Sequence, residues 1–197
     1  INEVARRLMS RLEGCKMVHA IDVARFFINI ANTIPTDDLM TNMRVNKLLY
    51  FAQGECLRQL GRPLFDEDME AWQYGPVVPH VYQTYKRFGR GPINDDAEYQ
   101  DTLSEQEKNI LFDVLRYYGQ FSTSRLVALS HQENAPWTAA HKDGVKHAKM
   151  SNEAIKTFFE SMDSISKFTI PYKETDFVGY RDKDGYLVLP KEWDDEE

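Results

Sequence analysis

Apolar residues recur at helical spacing along most of the chain, and the stretch 43–91 carries the densest pattern. Val45, Leu48, Leu49, Ala52, Cys56 and Leu60 fall on one side of a 3.6-residue helix, which predicts a helix over residues 42–60 with that face buried. Thr41 supplies an N-cap, and Gly61 followed by Pro63 supplies the stop. A second helix begins at Pro79, buries Val81, Tyr82, Tyr85 and Phe88, and ends at Gly89. Between the two, residues 69–74 lack a helical stripe and are short enough for one strand, after which Gly75-Pro76 reads as a sharp turn.

The same reading extends to both ends. Residues 1–16 place Val4, Leu8 and Leu12 at helical spacing with Arg6, Arg7 and Arg11 outside, an amphipathic arm. In 18–32 the apolar face, built on Ile21, Ala24, Phe27, Ile28 and Ala31, is wide enough to predict a central core helix. Residues 90–101 read as a loop. Ser104 and Glu107 then form a capping box ahead of Ile110, Leu111, Val114, Leu115 and Tyr118. Gly119 ends that helix, and Ser122 caps a short one burying Leu126 and Leu129. Pro136 opens another that carries Trp137 and Ala140, and Ser151 opens the last, with Ile155, Phe158, Phe159 and Met162 as its stripe. Beyond residue 163, stretches at 168–171 and 177–180 look extended, and Asp182-Lys183-Asp184-Gly185 before Tyr186-Leu187-Val188-Leu189 predicts a hairpin. An acidic end follows, around Trp193. The fold class expected is therefore mainly α, a compact helical domain over 17–163 with a small β element. A helical arm over 1–16 precedes it, and an extended, hairpin-bearing segment with an acidic tail over 164–197 follows.

Composition narrows the function classes. With 31 acids against 24 bases the formal charge is −7, which disfavours unaided binding to a polyanion and makes nucleic acid an unlikely partner. No apolar run approaches the ~20 residues of a bilayer span, the first residues lack a signal-peptide core, and two cysteines, Cys15 and Cys56, suit a reducing compartment. These point to a cytoplasmic protein. Cys56 lies on a buried helix face and reads as a small core residue.

Four blocks carry a family resemblance. They are Lys47-Leu48-Leu49-Tyr50-Phe51-Ala52-Gln53, Pro63-Leu64-Phe65-Asp66-Glu67-Asp68, Ala71-Trp72-Gln73-Tyr74-Gly75-Pro76-Val77-Val78 and His131-Gln132-Glu133-Asn134-Ala135-Pro136-Trp137. In kind and order they resemble the signature blocks of the Panacea domain, the SocA-like antitoxin domain of bacteria and their phages, over roughly residues 17–159. The resemblance implies an antitoxin: a protein that binds a toxin encoded beside it and neutralises it by direct contact. It also implies, as an alternative, an adaptor that delivers the toxin to a ClpXP-type protease. The family-motif residues Lys47, Tyr50, Trp72, Tyr74, His131, Glu133 and Trp137 are then the candidates for scaffold or interface.

Catalytic chemistry has weaker support. His131-Gln132-Glu133 resembles the His-x-Glu element of zinc deaminases, but the Cys-x-x-Cys pair those sites need downstream is missing. His141 and His147, six apart, would point to different sides of one helix. The expectation is no catalytic residue, no metal and no cofactor, with a metal-dependent enzyme using His131 and Glu133 as the rival and His141 as an additional candidate for its site. In the non-catalytic reading Trp137 plugs the core while Glu133 holds His131 or caps a helix amide. Lys47 and Tyr50 lie off the stripe of their helix, so the lysine stem either packs on an aromatic with its head in water or belongs to a recognition surface. Trp72 and Tyr74 share a parity on the expected strand. Lys142, Lys146, His147 and Lys149 read as a solvated helix face, and no phosphate-binding loop is present.

Overall fold

A computed structural model describes residues 18–33, 39–95, 102–141, 145–165, 180–181 and 187–188. The chain divides into two compact units, Ile1–Ser166 and Lys167–Glu197. The arm expected over 1–16 and the acidic end lie outside the described residues. In the second unit, Tyr180–Arg181 pairs antiparallel with Leu187–Val188, the pairing a hairpin requires.

The first unit holds α1 (Ala20–Thr33), α2 (Asn42–Leu60), β1 (Met69–Trp72), β2 (Gly75–Val77), α3 (Pro79–Tyr85) with a 3₁₀ turn at Lys86–Phe88, α4 (Glu105–Tyr118), α5 (Thr123–Ser130), α6 (Pro136–Ala140), β3 (Ala148–Met150) and α7 (Asn152–Glu160). This is a mainly α fold with one small antiparallel sheet of order β2-β1-β3. Helix ends fall where the capping chemistry puts them. The Thr41 hydroxyl accepts from the Arg44 amide, and Gly61 closes α2 at φ +69°. Ser104 and Glu107 form the expected capping box, and Ser122 and Ser151 cap α5 and α7. No helix among the described residues is long and apolar enough to cross a membrane.

The centre is α2, and α1, expected as a core helix, buries Val23, Ala24, Phe27 and Ile28 in the same core. Every residue from Arg44 to Leu57 is buried, because α1, α3, α4, α5, α7 and β2 all pack on it. An apolar stripe covers only part of such a helix, and several of its other buried positions are polar side chains that serve the backbone of neighbouring segments. Arg44 donates to the carbonyls of Gly119 and Phe121 in the α4–α5 turn. Asn42 donates to Tyr82 O at 3.0 Å, and Asn46 Oδ1 accepts from the Val78 amide at 2.9 Å. Gln53 Oε1 takes the Leu64 and Phe65 amides at 2.9 and 3.3 Å, while its Nε2 donates to Phe65 O at 3.0 Å. Each of these backbone groups would cost about 1–3 kcal/mol if buried without a partner.

Two expectations about the β element are corrected. The chain reverses at Gln73-Tyr74, and Gly75-Pro76 lies in β2, whose register pairs Trp72 with Gly75 and Ala71 with Pro76. Neither Gln73 nor Tyr74 takes a positive φ; Gly75 does, at +102°, so the glycine after the turn absorbs the twist. Proline is tolerated there because β2 is an edge strand in this sheet. The second correction is β3. Lys149 sits opposite Glu70 in an antiparallel ladder, and Lys146 and His147 lead into the strand, so no helix face exists at 146–149. Three residues are too few to show a period-2 pattern.

Helix α7 closes the core from the other side. Phe159 packs edge-on against Tyr50 with ring centroids 5.4 Å apart, and Phe51 stacks on Tyr118 of α4 at 3.9 Å. The approach is possible because residue 54 is glycine: a Cβ there would lie 2.3 Å from the Phe159 ring. Gly54→Ala therefore sets a gain in helix propensity of ~1 kcal/mol against overpacking of about 1–3 kcal/mol. With a ring as the obstacle, overpacking dominates. A lower chemical-denaturation midpoint is expected, recovered in part by adding Phe159→Leu.

Candidate functional site

The motif blocks, far apart in sequence, meet around the hairpin. Lys47 comes from the middle of α2 and is 1% exposed, with Nζ donating to Pro76 O at 2.8 Å. Its head is not in water, as the stem-and-head reading had it; the all-round burial of α2 traps it. Burial lowers its pKa to about 7. Gly75 lies against it: a Cβ at that position would be 2.8 Å from Lys47 Cε and 2.8 Å from Ser130 Oγ. Ser130, fully buried at the end of α5, donates to Val127 O at 2.8 Å.

His131 follows at the C-cap of α5 and stacks on Trp137 of α6, with centroids 3.5 Å apart and planes 10° apart. His141 stacks on the same indole at 4.4 Å and 12°. Two parallel imidazoles that close to one ring must lie on its opposite faces, so their nitrogens are held roughly 6–7 Å apart. Ligands of one zinc ion, each at ~2 Å, must be nearer than that. His131 and His141 therefore cannot share a metal ion, and no metal-holding group of three His, Cys, Asp or Glu occurs among the described residues. Glu133 is exposed on the turn after His131, whose Nε2 is buried without a hydrogen-bond partner. The expected Glu133–His131 contact is absent. Burial, then the charges of Lys47 and His141, hold the His131 pKa down at about 4.

Trp137 links this cluster to the hairpin, its Nε1 donating to Trp72 O at 2.7 Å. Trp72 in turn donates from Nε1 to Glu70 at 2.7 Å, packs on Tyr82 at 4.8 Å and stacks under His147 at 4.4 Å. Asn134 and His147, the two non-glycine residues with positive φ among those described, flank the assembly at +69° and +58°.

Of the seven residues singled out in the sequence, Lys47, Trp72, His131 and Trp137 are brought together around the hairpin. Tyr50 is elsewhere: it is 0% exposed in the core beside Phe51 and Phe159, and burial drives its pKa upward. Tyr74 stands on the turn, 60% exposed, and does not share a strand with Trp72. The residues not anticipated are Ser130, Tyr82, Glu70 and the stacked positions of His141 and His147. A Gly-Pro pair was the only local sign of close backbone approach; nothing near 147 predicts that a loop imidazole lands on Trp72. Cys56 is buried with its thiol pushed up to about 12, which suits a core residue.

The cluster joins stacked rings and backbone-directed donors, with the hairpin tip and exposed flanking turns on its outside. The family model described as "Antitoxin SocA-like, Panacea domain" matches residues 45–138, which span the cluster from α2 to α6. Antitoxin SocA of Caulobacter vibrioides (strain NA1000 / CB15N) is 36% identical over 131 residues, covering 61% of this chain and 69% of that protein. No solved structure matches the chain. The chain belongs to the SocA-like Panacea family.

Two substitutions test the construction. Trp137→Phe keeps an aromatic ring between the two imidazoles and deletes the bond to Trp72 O, so a loss of about 1–3 kcal/mol is expected in urea denaturation. Gly75→Ala meets both the φ of +102° and the Lys47 contact. It should cost at least as much, about 1–3 kcal/mol from backbone strain alone.

Proposed function

We propose that this protein is an antitoxin that neutralises a cognate toxin by direct protein–protein binding. Membership of a family named for an antitoxin carries the reading. The site agrees with it: the motif residues are spent on stacking and on backbone hydrogen bonds, which shape a surface and leave no nucleophile–base pair among them. Lys47, His131 and Trp137 then act as scaffold. The contact residues are the ones this scaffold holds outward, Tyr74 at the hairpin tip, the outer edge of Trp72 with His147, and Glu133 on the α5–α6 turn. A rigid aromatic with a polar tip on a pinned turn is the kind of side chain that anchors interfaces.

The test is co-expression with the product of the neighbouring reading frame, scored by growth and by affinity pull-down. The expected outcome is a product toxic alone, silenced and co-purified when this chain is present. A harmless or unbound product would remove direct neutralisation of that partner. Toxin level separates blocking, where it is preserved, from delivery to a protease, where it falls in a ClpXP-dependent manner. Within a confirmed complex, Tyr74→Ala should weaken binding by about 1–2 kcal/mol, roughly 5- to 30-fold in Kd, with an unchanged melting temperature. Calorimetry on the purified pair measures both.

A further inference from the structure

Beneath the hairpin Lys47 is buried, His131 lies half-buried against Trp137, and no acid among the described residues pairs with either. Lys47 is surrounded by α2, by Gly75 and Pro76 of β2, and by the end of α5, and its ammonium has one carbonyl acceptor, Pro76 O at 2.8 Å, for three protons. The space against Gly75, where even a Cβ would sit 3.0 Å from Nζ, is too tight for a counter-ion. His131 Nε2 is buried without a partner, and His141 Nδ1 beyond the indole is buried likewise. Among the described residues, the charged groups that act on His131 are Lys47 and His141. β2 contributes backbone only, Ser130 is occupied with Val127 O, Glu70 of β1 is engaged with Trp72 and His147, and Glu133 is exposed on its turn.

We propose that Lys47 and His131 form a proton-operated latch on the β1–β2 hairpin: the hairpin closes over the pair when they are uncharged, and proton uptake by them favours its opening. When the hairpin lifts, Pro76 and Gly75 move off Lys47 and water reaches its amine, while His131, half-buried against Trp137, gains further exposure. Their pKa values in the closed form, about 7 for Lys47 and about 4 for His131, lie below the free values of 10.5 and 6.5. The closed form thus binds fewer protons than the open one. It is most stable above the free value of Lys47 and loses stability as pH falls toward about 7, and again between 6.5 and about 4 as His131 is driven to charge. The limiting slope for one such group is tenfold in the opening constant per pH unit. Because Trp72 and Tyr74 ride on this hairpin, the latch would tune the surface they present. It is a property of the chain alone and stands or falls independently of the antitoxin reading.

Hydrogen exchange of the amides in 72–78, corrected for the intrinsic rate and measured on the full chain at pH 9, 8 and 7, tests it. The expected result is an opening constant that rises about 3- to 10-fold per unit of falling pH, with amides of α4 unaffected, and a slope abolished by Lys47→Met. A flat profile in the wild type, or an unchanged slope in folded Lys47→Met, would overturn the proposal. Should that variant not fold, the Cε carbon shift of Lys47 in the wild type is read with the exchange profile: titration near pH 7 together with a sloped profile in 72–78 and a flat one in α4 upholds the latch, and titration above pH 10 removes it.

Discussion

Several backbone groups of the hairpin and the loops beside it are satisfied from a single helix. Along α2, Asn42, Arg44, Asn46, Lys47 and Gln53 reach successive segments of the chain and take up carbonyls and amides that no ladder or helix satisfies. These side chains are buried, so each bond is made where water cannot substitute for it, and each unmade bond would be expensive. That is why a helix with so many polar residues can sit at the centre of the fold. The same bonds explain the placement of the hairpin, since Pro76 and Val78, two residues apart in one short stretch, are held from the adjacent Lys47 and Asn46 on α2.

Glycine completes the arrangement at two places for two reasons. At residue 54 the absent side chain lets α7 bring Phe159 against α2, and at residue 75 it lets β2 approach Lys47 while adopting a φ that a larger residue resists. The family blocks therefore read as parts of one packing solution. Lys47, Gly75-Pro76, His131 and Trp137 are spaced by their roles in that solution, and the exposed Tyr74 and Glu133 ride on it. An arrangement of this kind fixes the position of a surface while leaving the residues on it free to differ between relatives.

Helical periodicity and capping residues located α2 and α4 at both ends and the starts of α5, α6 and α7, because both signals act within a few residues along the chain. The four signature blocks identified the family from residue type and order alone. What failed were inferences that assumed one exposed side. Lys47 read as a solvated head because a stripe on α2 implies an opposite, wet face, yet six other elements together bury the helix on all sides. Gly75-Pro76 read as the turn because both residues favour turns, whereas here a glycine of positive φ follows the turn and an edge strand tolerates the proline.

The sequence by itself determined the helices, their caps, the mainly α class and the family, all of which depend on local spacing or on the identity of short blocks. Tertiary structure alone decided which helix is central, that His131, His141 and His147 stack on two tryptophans, and that β3 lies on β1. Those outcomes rest on contacts between residues tens of positions apart, where no periodicity links the partners and burial depends on what arrives from elsewhere in the chain.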